Sequence, residues 1–222
     1  MKPPIGAVIF DMDGLLLDTE RVALETYLDT ASALGIDAAT PALYATFIGR
    51  SWQATRVLLE EALGPRNSER MLSRWPERFE ARVESGSIPR KPGVEDLLDL
   101  IGRRGTPIAL ATSTARHLTL RQLGAAGLLD RFGAMATGDE VVNGKPAPDI
   151  YLLAARRLGV DPASCVALED SEPGVEAASR AGMRVIMVPD LIQPAPRIRA
   201  MAERVCPSLV EARKVLDGIL RG

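Results

Sequence analysis

Asp11 and Asp13 stand two residues apart at the end of the apolar run Ile5-Gly-Ala-Val-Ile-Phe10, and Gly14 follows at once. Residues two apart on a strand point to the same side, so both carboxylates can converge just beyond a sheet edge. Buried strands do not normally end in two converging carboxylates. A glycine at position 14 lets the backbone turn sharply without a Cβ penalty. Alone, Asp-x-Asp-Gly is equally well an acidic turn closing a strand. An EF-hand loop does not fit, because its glycine follows three alternating oxygen ligands and it lies between helices.

Three further sets of polar residues close apolar runs or lie in the loops after them: Thr112 with Ser113 and Thr114, Lys145, and Glu169 with Asp170 and Ser171. Taken singly, Thr112 reads as a helix cap, Lys145 as a solvated surface lysine, and Glu169-Asp170-Ser171 as the cap of the next helix. Taken together they make one coherent site. Three carboxylates brought close repel one another unless a divalent cation holds them, and oxygen donors without His or Cys favour Mg2+. A lysine opposite the surplus negative charge and a nearby hydroxyl suit the oxygens of a phosphoryl group. The stretch Gly138 to Gly144-Lys145 is not a P-loop: five residues intervene instead of four, and Pro146 replaces the required Ser or Thr.

The elements that must position these residues alternate. After the first strand, Val22, Leu24, Tyr27, Leu28, Ala31 and Leu34 give a helical period ending at Gly35. Helical patterns continue over about 40–48, 52–63 and 67–85, punctuated by Gly49 and Gly64-Pro65, and no strand is predicted between 18 and 88. From Pro89-Arg-Lys-Pro-Gly93 the pattern becomes helix 93–103, strand 107–112, helix 116–125, strand 133–136, helix 149–158, a fresh helix start at Asp161-Pro162, strand 165–168, helix 173–181 and strand 184–188. Ser208-x-x-Glu211 is a capping box for a last helix. Strand–helix alternation predicts an α/β fold with a doubly wound, Rossmann-like parallel sheet, with ligands outside the carboxyl ends of its strands. The expected division is an α/β core of residues 1–17 and 89–222 with an all-helical cap of residues 18–88 inserted.

Length and composition set the frame: 222 residues, 46% hydrophobic and 4% aromatic, enough for a sizeable aliphatic core. A formal net charge of −2 gives no electrostatic reason to expect nucleic acid or an anionic membrane as partner. No apolar run approaches the ~20 residues of a membrane span, and Met1-Lys-Pro-Pro leads straight to the first strand with no secretory pattern. Cys165 and Cys206 make no metal or redox spacing, so they are expected as reduced packing residues of a cytoplasmic protein.

The residues quoted above resemble the haloacid dehalogenase superfamily, in its phosphatase and β-phosphoglucomutase-like branch with a helical cap. Phe10-Asp11-Met-Asp13-Gly14 matches its first motif, Leu110-Ala-Thr112 the second, Gly144-Lys145-Pro146-Ala-Pro148 the third, and Leu168-Glu169-Asp170-Ser171-x-x-Gly174 the fourth. The resemblance implies that Asp11 attacks phosphorus to form an aspartyl-phosphate, ionised at neutral pH by an ordinary carboxylate pKa of ~3.9. It implies Asp13 as general acid and base, and Mg2+ held by Asp11, the Asp13 main-chain carbonyl, Asp170 and, directly or through water, Glu169. Lys145, Thr112 and Ser113 would hold the phosphoryl oxygens, and the cap would close to exclude water. A 2-haloacid dehalogenase is disfavoured, since that branch lacks the second aspartate.

Two departures bear on the reaction. In the β-phosphoglucomutase branch a histidine lies three residues beyond the position of Glu20, and an arginine three beyond the Gly49 turn; here these are Ala23 and Trp52. The expected activity is therefore a Mg2+-dependent phosphatase acting on a small phosphorylated metabolite such as a sugar phosphate, with a phosphomutase as the alternative and a non-catalytic phospho-acceptor module as the third reading. Glu20, Arg50, Trp52 and Gln53 are the candidate cap residues for substrate choice, and His117 is read as a surface residue at a helix start. The expected assembly is a monomer or small homo-oligomer.

Overall fold

The computed structural model describes residues 4–48, 52–85 and 88–221. In chain order, β1 (Ala7–Phe10) is followed by α1 (Thr19–Leu34), α2 (Pro41–Ala45) and α3 (Trp52–Glu84). Then come α4 (Val94–Arg103), β2 (Ile108–Ala111), α5 (Arg116–Ala125), β3 (Ala134–Ala136), α6 (Asp149–Leu158) and β4 (Cys165–Glu169). The chain ends with α7 (Glu172–Arg180), β5 (Arg184–Met187), α8 (Pro196–Met201), β6 (Arg204–Val205) and α9 (Leu209–Arg221). These elements divide into two compact units, Met1–Leu17 with Pro89–Gly222, and Asp18–Ile88.

In the first unit the strands of the described residues form one parallel sheet in the order β3-β2-β1-β4-β5-β6. Parallel neighbours cannot be joined by tight turns, and the intervening helices supply the crossovers. β1, β2 and β4 are buried along their whole length, which is why they read as unbroken apolar runs with no alternation. The order reverses direction at β1, the topological switch point where such sheets bind ligands. This is the doubly wound α/β architecture that the alternation of patterns implies.

Two details differ from expectation. Asp161-Pro162 opens only a single 3₁₀ turn, Pro162–Ser164, capped by the Asp161 carboxylate accepting from Ala163 N at 3.0 Å. α8 and β6 have no counterpart in the sequence reading, because elements of six and two residues are too short to show a period. The two helices expected over 52–63 and 67–85 are both present within α3, separated at Gly64, whose φ of 75° and ψ of 163° lie outside helical space.

The second unit packs around one aromatic cluster. Tyr27 of α1 lies 5.3 Å from Trp75, 5.4 Å from Tyr44 and 5.9 Å from Phe47, centroid to centroid. Burial pushes the Tyr27 phenol up to about 12. Thr26 and Thr30 sit on the buried side of α1 without loose hydroxyls, since they donate to the carbonyls of Val22 (2.9 Å) and Thr26 (2.6 Å). Among the described residues no helix is long and apolar enough to cross a membrane, and Cys165 and Cys206 are free and buried.

One brace matters for the loop that carries Lys145. Thr137 and Glu140 form a capping box just after β3. Arg157 of α6 clamps it, donating to Glu140 at 2.7 and 3.0 Å and to the Met135 carbonyl at 2.5 Å. Hydrogen bonding from Arg157, reinforced by Thr137 and opposed by burial, holds the Glu140 carboxyl down at about 2. A depressed carboxyl stabilises the folded state above its ordinary pKa, and that contribution fades as pH falls towards the folded value. Glu140→Gln is expected to cost about 1 kcal/mol at pH 7, read as a fall in Tm of roughly 2–4 °C. Thermal melts from pH 7 down to pH 2 check this: the gap between variant and wild type should close below pH ~4.5, and a gap independent of pH would refute the linkage.

Candidate active site

Sheet register brings the expected residues together. Phe10 of β1 is aligned with Leu110 of β2 on one side and with Leu168 of β4 on the other. The next residues along these strands, Asp11 and Glu169, are therefore neighbours at the switch point, and Thr112 ends β2 beside them. Backbone hydrogen bonds lock this edge: Asp11 N to Leu168 O at 3.0 Å, Thr112 N to Ala136 O at 3.0 Å, and Val188 N to Glu169 O at 2.7 Å.

Lys145 reaches this edge from the loop before α6. Its Nζ lies 2.5 Å from Asp11 Oδ1 and 2.6 Å from Glu169 Oε1, with side-chain exposures of 6%, 8% and 0% respectively. Far from a solvated surface lysine, it is one cation between two buried carboxylates. Burial alone would lower its pKa, but Asp11 and Glu169 hold it well above the ordinary lysine range. Asp11 moves the other way from the sequence expectation. Burial, helped by the negative charges of Glu169 and Asp13 and opposed by Lys145, raises it from 3.8 to about 8. An ordinary carboxylate pKa for Asp11 is thus corrected: its ionisation at neutral pH depends on further positive charge.

Asp13 has a different environment. Its Oδ2 accepts from Thr114 Oγ1 at 2.6 Å and from Thr112 Oγ1 at 3.3 Å, and Thr112 in turn accepts from Thr114 N at 3.1 Å. The two aspartates of one strand end are therefore held by different chemistry, ammonium for Asp11 and hydroxyl for Asp13. Ser113 is exposed and stands outside this bonded set. His117 is exposed near the start of α5.

Glu169 is completely buried and accepts five hydrogen bonds, enough to fill a carboxylate's lone-pair sites. Oε1 takes Lys145 and the Tyr151 hydroxyl, each at 2.6 Å; Oε2 takes Asp170 N, Ser171 N and Ser171 Oγ at 3.0–3.2 Å. Ser171 is also the N-cap of α7, accepting from Gly174 N. Gly174 has a steric reason: a Cβ there would meet Glu169 Oε1 at 1.8 Å and Cδ at 1.9 Å. Lys145 lies over the Tyr151 ring at 5.2 Å.

Gly14 turns with φ of 76°, and a Cβ on it would meet Asp170 Oδ2 at 2.3 Å. Conformation and space both call for glycine at that point. Carboxylate oxygens of Asp11, Glu169 and Asp170 lie within 4.8 Å of one another. A hard, all-oxygen donor set of this kind fits Mg2+.

Of the candidate specificity residues, Glu20 sits in the first turn of α1 and accepts from the Tyr44 hydroxyl at 3.0 Å. Trp52 and Gln53 open α3 and are exposed, with Trp52 5.8 Å from the Trp75 ring. Arg50 and Gly49 lie outside the described residues.

Sequence reasoning missed Tyr151, and it named Thr114, Ser171 and Gly174 only as members of their motifs, without the contacts they make to Asp13 and Glu169. Thr114 carried a signal, being one of three consecutive hydroxyl positions after an apolar strand. Tyr151 carried almost none: a tyrosine inside an apolar helix reads as core until a carboxylate is found facing it.

The chain is similar to known proteins over most of its length. A family model of haloacid dehalogenase-like hydrolases matches residues 8–188. A phosphorylated carbohydrates phosphatase of Thermotoga maritima is 36% identical over 211 residues, spanning 95% of this chain and 96% of the relative. Hexitol phosphatase B of Escherichia coli is 36% identical over 192 residues, 83% of this chain and 84% of its own. The crystal structure of CbbY from Rhodobacter sphaeroides in complex with phosphate superposes with a TM-score of 0.72 at 32% identity, covering 93% of this chain and 96% of that one.

Gly174→Ala tests the carboxylate placement directly. The added methyl must displace Glu169, at an overpacking cost of about 1–3 kcal/mol. Urea denaturation should show that loss; a variant as stable as wild type would show that Glu169 can sit elsewhere without penalty.

Proposed function

The chain belongs to the haloacid dehalogenase-like hydrolase family and is a phosphatase of that family, and on that premise we propose a Mg2+-dependent hydrolase of small phosphomonoesters acting through an aspartyl-phosphate on Asp11. The single observation that carries this reading is the division of labour at the end of β1. One aspartate is paired with a buried ammonium and the other is oriented by two hydroxyls.

Asp11 is the nucleophile. Its carboxylate oxygen forms a bond to phosphorus while the phosphorus–ester oxygen bond breaks. Asp13 gives its proton to the departing oxygen and then takes one from the water that attacks the aspartyl-phosphate, releasing inorganic phosphate and restoring Asp11. The Thr114 hydroxyl on Asp13 Oδ2 holds the carboxyl in one orientation through both steps, and the Thr112 hydroxyl, with its longer bond there, turns to the phosphoryl group when substrate binds. Lys145 and Thr112, with Ser113 beside them, are assigned to the phosphoryl oxygens. Asp11, Asp170 and the Asp13 main-chain carbonyl would hold the cation, with Glu169 contributing its negative charge beside them. When bound, Mg2+ neutralises phosphoryl charge and lowers the raised pKa of Asp11.

A phosphorylated carbohydrate is the substrate class best supported, because relatives aligned over most of this chain are phosphatases of phosphorylated carbohydrates and of hexitol phosphates. Glu20, Arg50, Trp52 and Gln53 are proposed to choose among such substrates, and residues 18–88 to serve as the cap. Water is the proposed phosphoryl acceptor, since Ala23 and Trp52 replace the histidine and arginine that the mutase branch carries.

Phosphate release across a panel of sugar and sugar-alcohol phosphates, with MgCl2 or with EDTA, tests the reading. Turnover should require Mg2+ and fall by at least ~10³-fold in Asp11→Asn. Substantial activity of that variant would sink the aspartyl-phosphate. Isomerisation of a hexose 1-phosphate in the presence of a bisphosphate primer, without net phosphate release, would replace the phosphatase by a mutase.

A further inference from the structure

A second ion pair lies at the same edge of the sheet and has no part in the chemistry above. Lys91, in the segment leading into α4, places Nζ 2.5 Å from Oδ1 of Asp190, in the loop after β5. Only 22% of the lysine side chain and 8% of the aspartate side chain are exposed. The other aspartate oxygen, Oδ2, is buried and has no hydrogen-bond partner among the described residues. Leaving a buried acceptor unmatched is costly, and more so when it is charged.

The surroundings of that oxygen give the orientation a reason. Asp190 Oδ2 lies 3.3 Å, and Asp170 Oδ2 2.3 Å, from the place a Cβ would take on Gly14. Two carboxylate oxygens of like charge thus border one side-chain-free position, immediately after Asp13. Repulsion between them would turn Asp190 away unless something positive or hydrogen-donating lay between. Lys91 fixes the carboxylate through Oδ1, which leaves Oδ2 directed at the Asp170 side.

We propose that Asp190 is a positioning residue of the divalent-cation site. Its Oδ2 accepts a hydrogen bond from the hydration shell of the cation held by Asp11 and Asp170. This inference rests on the metal-site reading of Asp170 given above. Mg2+ dehydrates reluctantly and keeps several waters, which are strong donors to a carboxylate one layer out. Loss of such an outer partner costs typically about 10–100-fold in metal affinity.

Calorimetric titration of the intact protein with MgCl2 separates this role from a plain structural ion pair. Asp190→Asn should weaken Mg2+ binding about 10-fold or more. Asp190→Glu, which keeps the charge and moves the carboxylate oxygens by one methylene, should weaken it as well. A structural pair would change thermal stability alike in both variants and leave Mg2+ affinity at the wild-type value, which would overturn the proposal. Asp170→Asn keeps the two readings apart. If that variant binds Mg2+ as wild type does, the metal-site reading itself falls. If it loses binding while Asp190→Asn retains it, only the role of Asp190 falls. Should Asp190→Asn fail to fold by circular dichroism, Asp190→Glu decides: weaker binding supports the proposal, and unchanged or tighter binding overturns it.

Discussion

Lys145 puts a single positive charge between two carboxylates in a region almost closed to water. Buried ion pairs do not stabilise a fold by default, because desolvating each partner is expensive and the attraction repays it only when every remaining donor and acceptor is matched. The arrangement meets that condition for Glu169, whose five donors come from four different residues. It does not meet it for Asp11, which keeps a strongly raised pKa. The cost of uncompensated charge falls on the one carboxylate that the chemistry uses, so the fold holds its nucleophile in a state that a cation completes.

That constraint explains features scattered along the chain. Glu169 needs room under its carboxylate, and Gly174 provides it. Asp170 needs room beside the first turn, and Gly14 provides it while taking a positive φ. The loop bearing Lys145 must not drift, and the Arg157–Glu140 clamp ties its start to α6. Small residues and surface ion pairs here serve the placement of charge as much as stability.

Much of this was legible in the sequence because the relevant signals are local. Each strand is an apolar run that stops at polar residues, and the alternation with helices fixes a parallel sheet. Six of the site residues, Asp11, Asp13, Thr112, Lys145, Glu169 and Asp170, are strand-end or loop positions that such reading exposes. What it could not expose are pairings across the sheet. Tyr151 meets Glu169, and Lys91 meets Asp190, through contacts between segments 18 and 99 residues apart. The raised pKa of Asp11 was invisible for the same reason, since burial and neighbouring charge exist only after folding. Short elements such as β6 failed differently: two residues carry no period.

The aromatic cluster of residues 18–88 has an optical consequence. Both tryptophans of the chain, Trp52 and Trp75, belong to that unit, and their rings lie 5.8 Å apart. Tryptophan emission from this protein therefore originates in the helical unit alone. The sheet and its carboxylates, with the tyrosine at position 151 hydrogen-bonded among them, are dark at that wavelength. Ligand binding that changes the fluorescence reads out events felt by the helices, and a fluorescence-detected unfolding curve that departs from the far-ultraviolet dichroism curve would separate the melting of one unit from that of the other.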